Sequence, residues 1–403
     1  MRNIAFALSL IVIFVIPWEN VVNVEGFGTL SSIVGVLAAL FWIETVVVTN
    51  QIRRPTLFHL IVGVFVLWNV ATLFWSINGQ RTIGRSWTYA QLFIMILMLW
   101  DLYRTPAALK AAMQAYVLGA SISLVSVIVN YDAGLTVVSR RFSATGFNAN
   151  DIGLILVLGM PLAWYLAVFV NDTGKLRLLR PINFAYLPAA LVAILLTGSR
   201  GTLIAAAPVV LFILCTLPRL GIAWRAVLVA GAIWGASMLP SVIPEATFQR
   251  LGTIRSSIAN EDMGGRIKIW REGMLIHGAH PMLGVGAGAY QTAAVRTHHV
   301  AHNVYLSVLV ESGIVGFAIF AVVLAVTVYN ALRQPKWAAL LWITVLMVWG
   351  IGAIVHTWEQ RKQTWLFLSL VTISANLIVP REEDEPDEDS SGTSLDKPQM
   401  ADA

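Results

Sequence analysis

About twelve apolar runs follow one another along this chain, and they leave it few ways to fold. They cover 4–18, 29–48, 57–76, 86–103, 107–130, 151–170, 183–198, 201–218, 223–239, 303–329, 336–355 and 364–380. A helix rises about 1.5 Å per residue, so roughly 20 apolar residues cross a hydrocarbon core of ~30 Å. Most of the runs suit that length, while the first and seventh are short for it. Only 12% of the chain is charged, where a soluble domain carries roughly 25%. The expected fold is therefore all-α: a polytopic membrane protein of about twelve transmembrane helices. Nine helices fall in 1–239, a large polar loop with interfacial helices in 240–302, and three helices in 303–380. The lone Cys215 sits inside an apolar run, so no intramolecular disulfide can form.

The first run has the look of a signal peptide, with Arg2 ahead of an apolar stretch. Pro17-Trp18-Glu19-Asn20 makes a poor cleavage site, so it reads as a retained helix. Orientation follows from basic residues in short loops. With a cytoplasmic N-terminus, the inner loops hold Arg53 and Arg54, Arg104, Lys175 with Arg177 and Arg180, Arg219 with Arg225, and Arg333 with Lys336. Both termini then lie in the cytoplasm and 240–302 lies outside. Seven of the eight residues 382–389 are acidic, and Ser, Gly and Pro follow. Such a tail, 381–403, lacks the apolar area to fold and reads as a disordered, solvated end.

The outer side is basic as well, against the usual bias. Thirteen of the 27 Lys and Arg residues fall there, eleven of them arginine. Long loops translocate largely regardless of charge, but Arg200 is different. It sits in Thr197-Gly198-Ser199-Arg200-Gly201, a tight turn between two apolar runs, where an ionisable group is costly and so a functional candidate. A guanidinium can bind phosphate oxygens in pairs, which an ammonium cannot. Outer arginines around a membrane cavity therefore suggest a phosphate or diphosphate ligand attached to a lipid. Charges in mid-helix, which a proton or ion relay requires, are nearly absent, and this argues against a transporter.

Five of the seven histidines fall between 277 and 302. His298 and His302 could face together one helical turn apart, but no carboxylate or cysteine completes a metal site. His302 is better placed as a base. It precedes a helix whose N-terminal dipole disfavours the imidazolium, and nearby arginines act the same way. A neutral imidazole can then take a proton from a sugar hydroxyl. Asn303 suits a helix cap or a substrate oxygen. Residues 263–275 have helical spacing and read as an interfacial helix starting near Gly265, with Arg266 and Trp270 on one face. Gly284-Val285-Gly286-Ala287-Gly288 looks like part of a nucleotide fingerprint, but without a βαβ unit it reads as a turn for close packing.

Several of these pieces occur together, in order, over roughly 145–330. They are Phe147-Asn148-Ala149-Asn150-Asp151-Ile152-Gly153, Thr197-Gly198-Ser199-Arg200-Gly201, Gly265-Arg266-Ile267-Lys268-Ile269-Trp270, His280-Pro281-Met282-Leu283-Gly284-Val285-Gly286, and His302-Asn303 with Glu311-Ser312-Gly313. The series resembles the O-antigen ligase and polymerase superfamily of bacterial envelope enzymes. The resemblance implies a membrane glycosyltransferase of the GT-C type, multi-pass in the bacterial inner membrane and with its active site facing the periplasm. Its donor would be a glycan on undecaprenyl diphosphate. Its acceptor would be lipid A–core for a ligase, or another lipid-linked glycan for a polymerase. By position, Arg200 and Arg266 would hold the diphosphate and His302 would act as base or orient the acceptor. Direct displacement would invert the anomeric centre, and neither a metal nor another cofactor is expected. Candidate substrate-binding residues are Asn303, Arg140, Arg141, Lys268 and Arg271. The expected partners are the lipid-linked glycan, the glycan acceptor and the bilayer, with no nucleic acid. A ligase is the leading reading, a polymerase the alternative, and a lipid-linked-sugar flippase the less favoured third.

Overall fold

A computed structural model describes residues 1–25, 28–137, 141–170, 175–252 and 265–378. Arg140, part of the long loop and the acidic tail 381–403 lie outside them. Among the described residues the regular secondary structure is helical apart from a short antiparallel pair, Asn23–Val24 with Gly28–Thr29, and one bridge between Val137 and Arg141. Nine helices come first: α1 (Arg2–Val15), α2 (Leu30–Thr49), α3 (Leu57–Ala71), α4 (Gly79–Leu102), α5 (Pro106–Asp132), α6 (Ala149–Val168), α7 (Arg180–Thr197), α8 (Arg200–Thr216) and α9 (Ile222–Val242). The connecting region holds α10 (Glu245–Gly252), α11 (Arg266–Ala279) and the single turn α12 (Tyr290–Ala293). Three more helices complete the bundle: α13 (Val304–Leu332), α14 (Lys336–Ala353) and α15 (Lys362–Ile378).

A helix thus stands at each of the twelve apolar runs, and ten have the length and apolarity to cross a membrane. The other two are α4 and α15. α4 opens on Gly79-Gln80-Arg81 and carries Arg85, so its first turns are polar, and α15 has 17 described residues. The first run is longer than its apolar pattern indicated, because a 3₁₀ segment, Ile16–Val21, continues α1 past Pro17. The seventh is longer too, since α7 starts at Arg180 with Pro181 in its first turn, where proline is tolerated.

α6 is the central helix. Of the ten, its span is the most enclosed, at 83%, and it packs against α5, α7, α8 and α14. Small residues let these neighbours approach: a side chain at Gly153 would meet Thr202 of α8, and one at Gly159 would meet Tyr186 of α7. Buried polar pairs add interhelical hydrogen bonds. Gln114 and Asn183 exchange amide bonds at 3.0 and 2.9 Å, and Trp164 Nε1 donates to Thr216 Oγ1 at 2.7 Å. At one end of the bundle the buried Asp101 draws together Arg2, Arg104, the Arg53 backbone N–H and Trp42 Nε1.

The other end is organised around a break. α13 starts at Asn303, whose Oδ1 accepts the Leu306 N–H at 3.0 Å. It is interrupted at Gly313, with φ 66° and ψ −174°. A break strands backbone groups that membrane hydrocarbon cannot satisfy, and the segment 280–286 supplies the partners. Val285 N–H donates to Val310 O at 3.0 Å, Gly286 N–H to Glu311 O at 2.9 Å, and Ile314 N–H to Pro281 O at 2.9 Å. Trp68 Nε1 of α3 caps the Ser312 carbonyl at 2.9 Å. The glycines follow from this close approach. A Cβ on Gly284 would lie 2.5 Å from both Glu311 O and Gly313 N, and one on Gly313 would strike the Met282 carbonyl.

Gly313→Ala combines a glycine-only backbone conformation with that collision, so it is expected to destabilise by at least about 1–3 kcal/mol. Gly350→Ala is the control, since its new Cβ meets only the Tyr305 hydroxyl oxygen, at 3.5 Å. Thermal unfolding in detergent, followed by tryptophan fluorescence, should show a lower midpoint for Gly313→Ala and none of comparable size for Gly350→Ala.

Candidate active site

The first turn of α6 delivers the acidic centre of the site. Asn148 caps this helix, its Oδ1 accepting the N–H groups of Asn150 and Asp151 at 3.0 and 2.9 Å. That cap fixes Asp151, whose carboxylate also accepts the Asn148 side-chain amide. Trp358 Nε1 donates to Asp151 Oδ1 at 2.8 Å. Two further groups stand at 3.8 Å: His356 Nε2 from Oδ1 and an Arg361 guanidinium nitrogen from Oδ2. His356 Nδ1 lies 2.7 Å from the Gly352 carbonyl, which can only accept, so Nδ1 carries a proton. His356 is 3% exposed, and burial pushes its pKa down, against the pull of Asp151.

His302 approaches from the opposite side. Its backbone is left-handed, with φ 47°, an uncommon conformation for a residue other than glycine. Neighbours fix that turn: the His302 N–H donates to Thr357 Oγ1 at 2.9 Å, and Trp270 Nε1 of α11 donates to the Ala301 carbonyl at 3.0 Å. Burial is the main cause that pushes the imidazole pKa down to about 4. The Arg266 guanidinium, His299 and His356 add to it, and Asp151 opposes. The side chain is neutral at physiological pH.

Arg266 starts α11 after Gly265, whose φ of 84° makes the turn into the helix. Burial and then the field of Arg200 lower its pKa, which puts the two guanidiniums within electrostatic reach of each other. Arg266 in turn acts on His302 and His356. Arg200 starts α8, behind the Ser199 cap. Arg141 lies below it: its Nε donates to the Thr197 carbonyl at 2.6 Å and a terminal nitrogen to Asn150 Oδ1 at 2.7 Å. Ser199 Oγ reaches that same Asn150 oxygen at 3.0 Å. Arg141 therefore ties the α7–α8 turn to the start of α6.

The structure thus brings together Arg200, Arg266 and His302, with Arg141 and the capping Asn303 at the edge. Lys268 and Arg271 stand apart. They point from the exposed face of α11, where Arg271 joins Ile267, Trp270, Met274 and Leu275 along a shallow cleft. Sequence reasoning missed His356, Trp358 and Arg361 as partners of Asp151. The signal was a polar segment, Val355-His356-Thr357-Trp358-Glu359, between two apolar runs. It also missed Glu272, whose carboxylate holds the Arg296 and Thr297 N–H groups at 2.7 and 3.0 Å and so shapes the approach to His302.

A buried ion cluster supports this surface from beneath. One Arg85 nitrogen lies 3.3 Å from Glu311 Oε2 and 2.9 Å from Glu359 Oε1. Glu311 also takes the Gly288 N–H at 2.7 Å, and Glu359 takes Ser307 Oγ at 3.0 Å. Among the described residues, no three His, Cys, Asp or Glu side chains are grouped to hold a metal ion. What the arrangement offers is guanidiniums for an anion, neutral imidazoles and one fixed carboxylate.

NMR titration of the full chain labelled at histidine should place His302 near pKa 4. Arg266→Gln removes a repelling charge, so the value should rise, while burial, the larger cause, keeps it below the ordinary 6.5. A midpoint unmoved by Arg266→Gln would count against an electrostatic link between the two.

Comparison with known proteins bears on the same region. Residues 185–321 match the family model for O-antigen ligase, a stretch that holds Arg200, Arg266, His302 and the Gly313 break. An O-antigen ligase of Pseudomonas aeruginosa is 26% identical over 298 residues, which cover 72% of this chain and 68% of that protein. The chain is a polytopic membrane protein, and its residues 185–321 are similar to O-antigen ligases.

Proposed function

We propose that this protein is a glycosyltransferase that moves a glycan from undecaprenyl diphosphate to a sugar hydroxyl, as a ligase acting on lipid A–core. It would do so at the periplasmic face of the bacterial inner membrane. The observation that carries this reading is the meeting of Arg200 and Arg266 with a neutral His302 at one end of a membrane bundle. Similarity to an O-antigen ligase supports the choice of reaction.

In the proposed step the acceptor oxygen attacks the anomeric carbon from the face opposite the diphosphate. The new C–O bond forms as the bond to the diphosphate oxygen breaks, so the configuration inverts. The hydroxyl proton passes to His302, which is neutral and able to take it. The electron pair leaves on the diphosphate, where Arg200 and Arg266 stabilise the growing charge. Arg141 and Asn303 hold the turns that present these groups, and Asp151 with His356 borders the acceptor side. No metal enters the step.

Losing one preorganised donor to a developing anion costs roughly 10²–10³ in kcat. Arg200→Gln and Arg266→Gln should each fall in that range, and Arg200→Lys should recover little because the paired geometry is lost. His302→Ala should lose roughly 10²–10⁴. Purified protein in lipid, assayed for transfer, reads all of these. Full activity in His302→Ala with loss in His356→Ala would move the base to His356. Inhibition by EDTA, restored by one divalent ion, would overturn the metal-free step.

A deletion strain separates the acceptors on a lipopolysaccharide gel. The ligase reading expects uncapped lipid A–core with the lipid-linked polymer retained. Caps of a single repeat would point to a polymerase instead.

A further inference from the structure

Residues 355–361, between α14 and α15, touch three of the helix starts that build the site. Val355 packs against the turn beside Arg200: a Cβ on Gly201 would lie 2.9 Å from Val355 Cγ2. Thr357 Oγ1 accepts the His302 N–H at 2.9 Å, just ahead of α13. Trp358 Nε1 donates to Asp151 Oδ1 in the first turn of α6. Two residues of chain reach at most about 7 Å, so Val355 and Thr357 limit how far the Arg200 turn can stand from the His302 turn. The segment is itself firmly held. Its Trp358 carbonyl accepts Thr364 Oγ1 at 2.7 Å and the Arg361 N–H at 3.0 Å, and its Glu359 carbonyl accepts Trp365 Nε1 at 2.8 Å. Trp358 and Glu359 are both buried.

His302 needs that support. A residue other than glycine in the left-handed region, here at φ 47°, persists only where its surroundings over-determine it. From the α11 side, Glu272 takes the Arg296 and Thr297 N–H groups, and Trp270 donates to the Ala301 carbonyl. Those contacts stop at the peptide ahead of His302, and Thr357 supplies the hold at its N–H. The hydroxyl is carried on a β-branched side chain, which is stiff at χ1. Without it a part-buried N–H loses its acceptor. The residue can then relax toward the ordinary negative φ and carry its imidazole away.

We propose that Thr357 is a positioning residue for the transfer step, holding His302 in the left-handed turn that sets its imidazole in the site. The inference rests on the transfer reading above. Thr357 acts through His302 and touches no reacting atom, and it lies outside the matched region 185–321.

Thr357→Val keeps the shape and removes the acceptor, Thr357→Ala removes it without crowding, and Thr357→Ser restores it. Thr327→Val is the control, a buried α13 hydroxyl lost from an intrahelical bond to the Val323 carbonyl. The full chain in phospholipid nanodiscs, labelled at histidine, gives the titration of His302, which feels Arg266, His299, His356 and Asp151. The proposal expects the His302 midpoint to rise from about 4 toward 6.5 in Thr357→Val and Thr357→Ala, as the ring leaves its buried place. It expects kcat to fall by roughly 10–10²-fold in both, with KM for the lipid-linked donor changed by less than about twofold. Thr357→Ser should restore both readings, and Thr327→Val should move neither. An unmoved His302 midpoint in both variants, or a raised midpoint with unchanged kcat, would overturn the proposal and leave the transfer reading standing. Activity lost equally in Thr357→Ser, together with a lower thermal unfolding midpoint, would make Thr357 a purely structural residue and also overturn it. A raised midpoint in Thr357→Val, with a wild-type protein that transfers no glycan, would keep the hold on His302 and sink the transfer reading.

Discussion

At membrane depth every backbone N–H and C=O needs a protein partner, and the break in α13 at Gly313 is where that demand shapes the rest. The break admits the 280–286 segment, and its hydrogen bonds seat that segment against the helix end. The chain that follows gives the Gly288 N–H to Glu311. Glu311 shares Arg85 with Glu359, and Glu359 stands in the segment that carries His356, Trp358 and Arg361. A helix fault in one part of the sequence therefore sets the position of groups at the other side of the site. The ion cluster is weak grounds for stability, because two carboxylates and one guanidinium are all desolvated. Its value lies in register: it joins α4, α13 and the α14–α15 connection at a single point.

Charge is concentrated above this support. Arg200 and Arg266 feel each other's field, and Arg361 lies 3.8 Å from Asp151, which Trp358 and the α6 cap hold. Burial and the guanidiniums both keep the histidines neutral, so they act as hydrogen-bonding or proton-accepting groups and add no further charge. The α6 N-terminus matters here because this helix is the most enclosed of the ten candidate spans. A carboxylate in its first turn is an anchored reference for two mobile kinds of side chain, imidazole and guanidinium.

Much of this was legible along the chain, for a physical reason. Arg200 stands out because an ionisable group between two apolar runs is expensive, His302 and Asn303 by their place before a helix, and Arg266 only through the family resemblance. The partners were harder to see. Asp151 and His356 are 205 residues apart and meet only because α6 and α14 pack together. Arg85 and Glu311, 226 apart, are likewise a tertiary pair. Lys268 and Arg271 show the opposite effect. They are near Arg266 in sequence, but on a helix a step of two or five residues turns a side chain well away from its neighbour. They belong to the face of α11 that also exposes Met274 and Leu275.

The depressed basicity of His302 bears on how such a site can work. An imidazole with a pKa of about 4 holds a proton weakly, so it cannot by itself drive deprotonation of a sugar hydroxyl. The same guanidinium that weakens it is placed to stabilise an anion, and the two effects are linked. Strengthening His302 by removing Arg266 would sacrifice the charge that favours departure of a diphosphate. In the proposed reaction the balance falls on the leaving group: bond breaking runs ahead, positive charge builds at the anomeric carbon, and the attacking hydroxyl becomes acidic only as it bonds. A weak, neutral base is then sufficient, and it adds no third cation to the site until it takes the late proton. The position of His302 next to Asp151 and His356 fits that order, since a proton taken late has two neighbouring acceptors through which to leave.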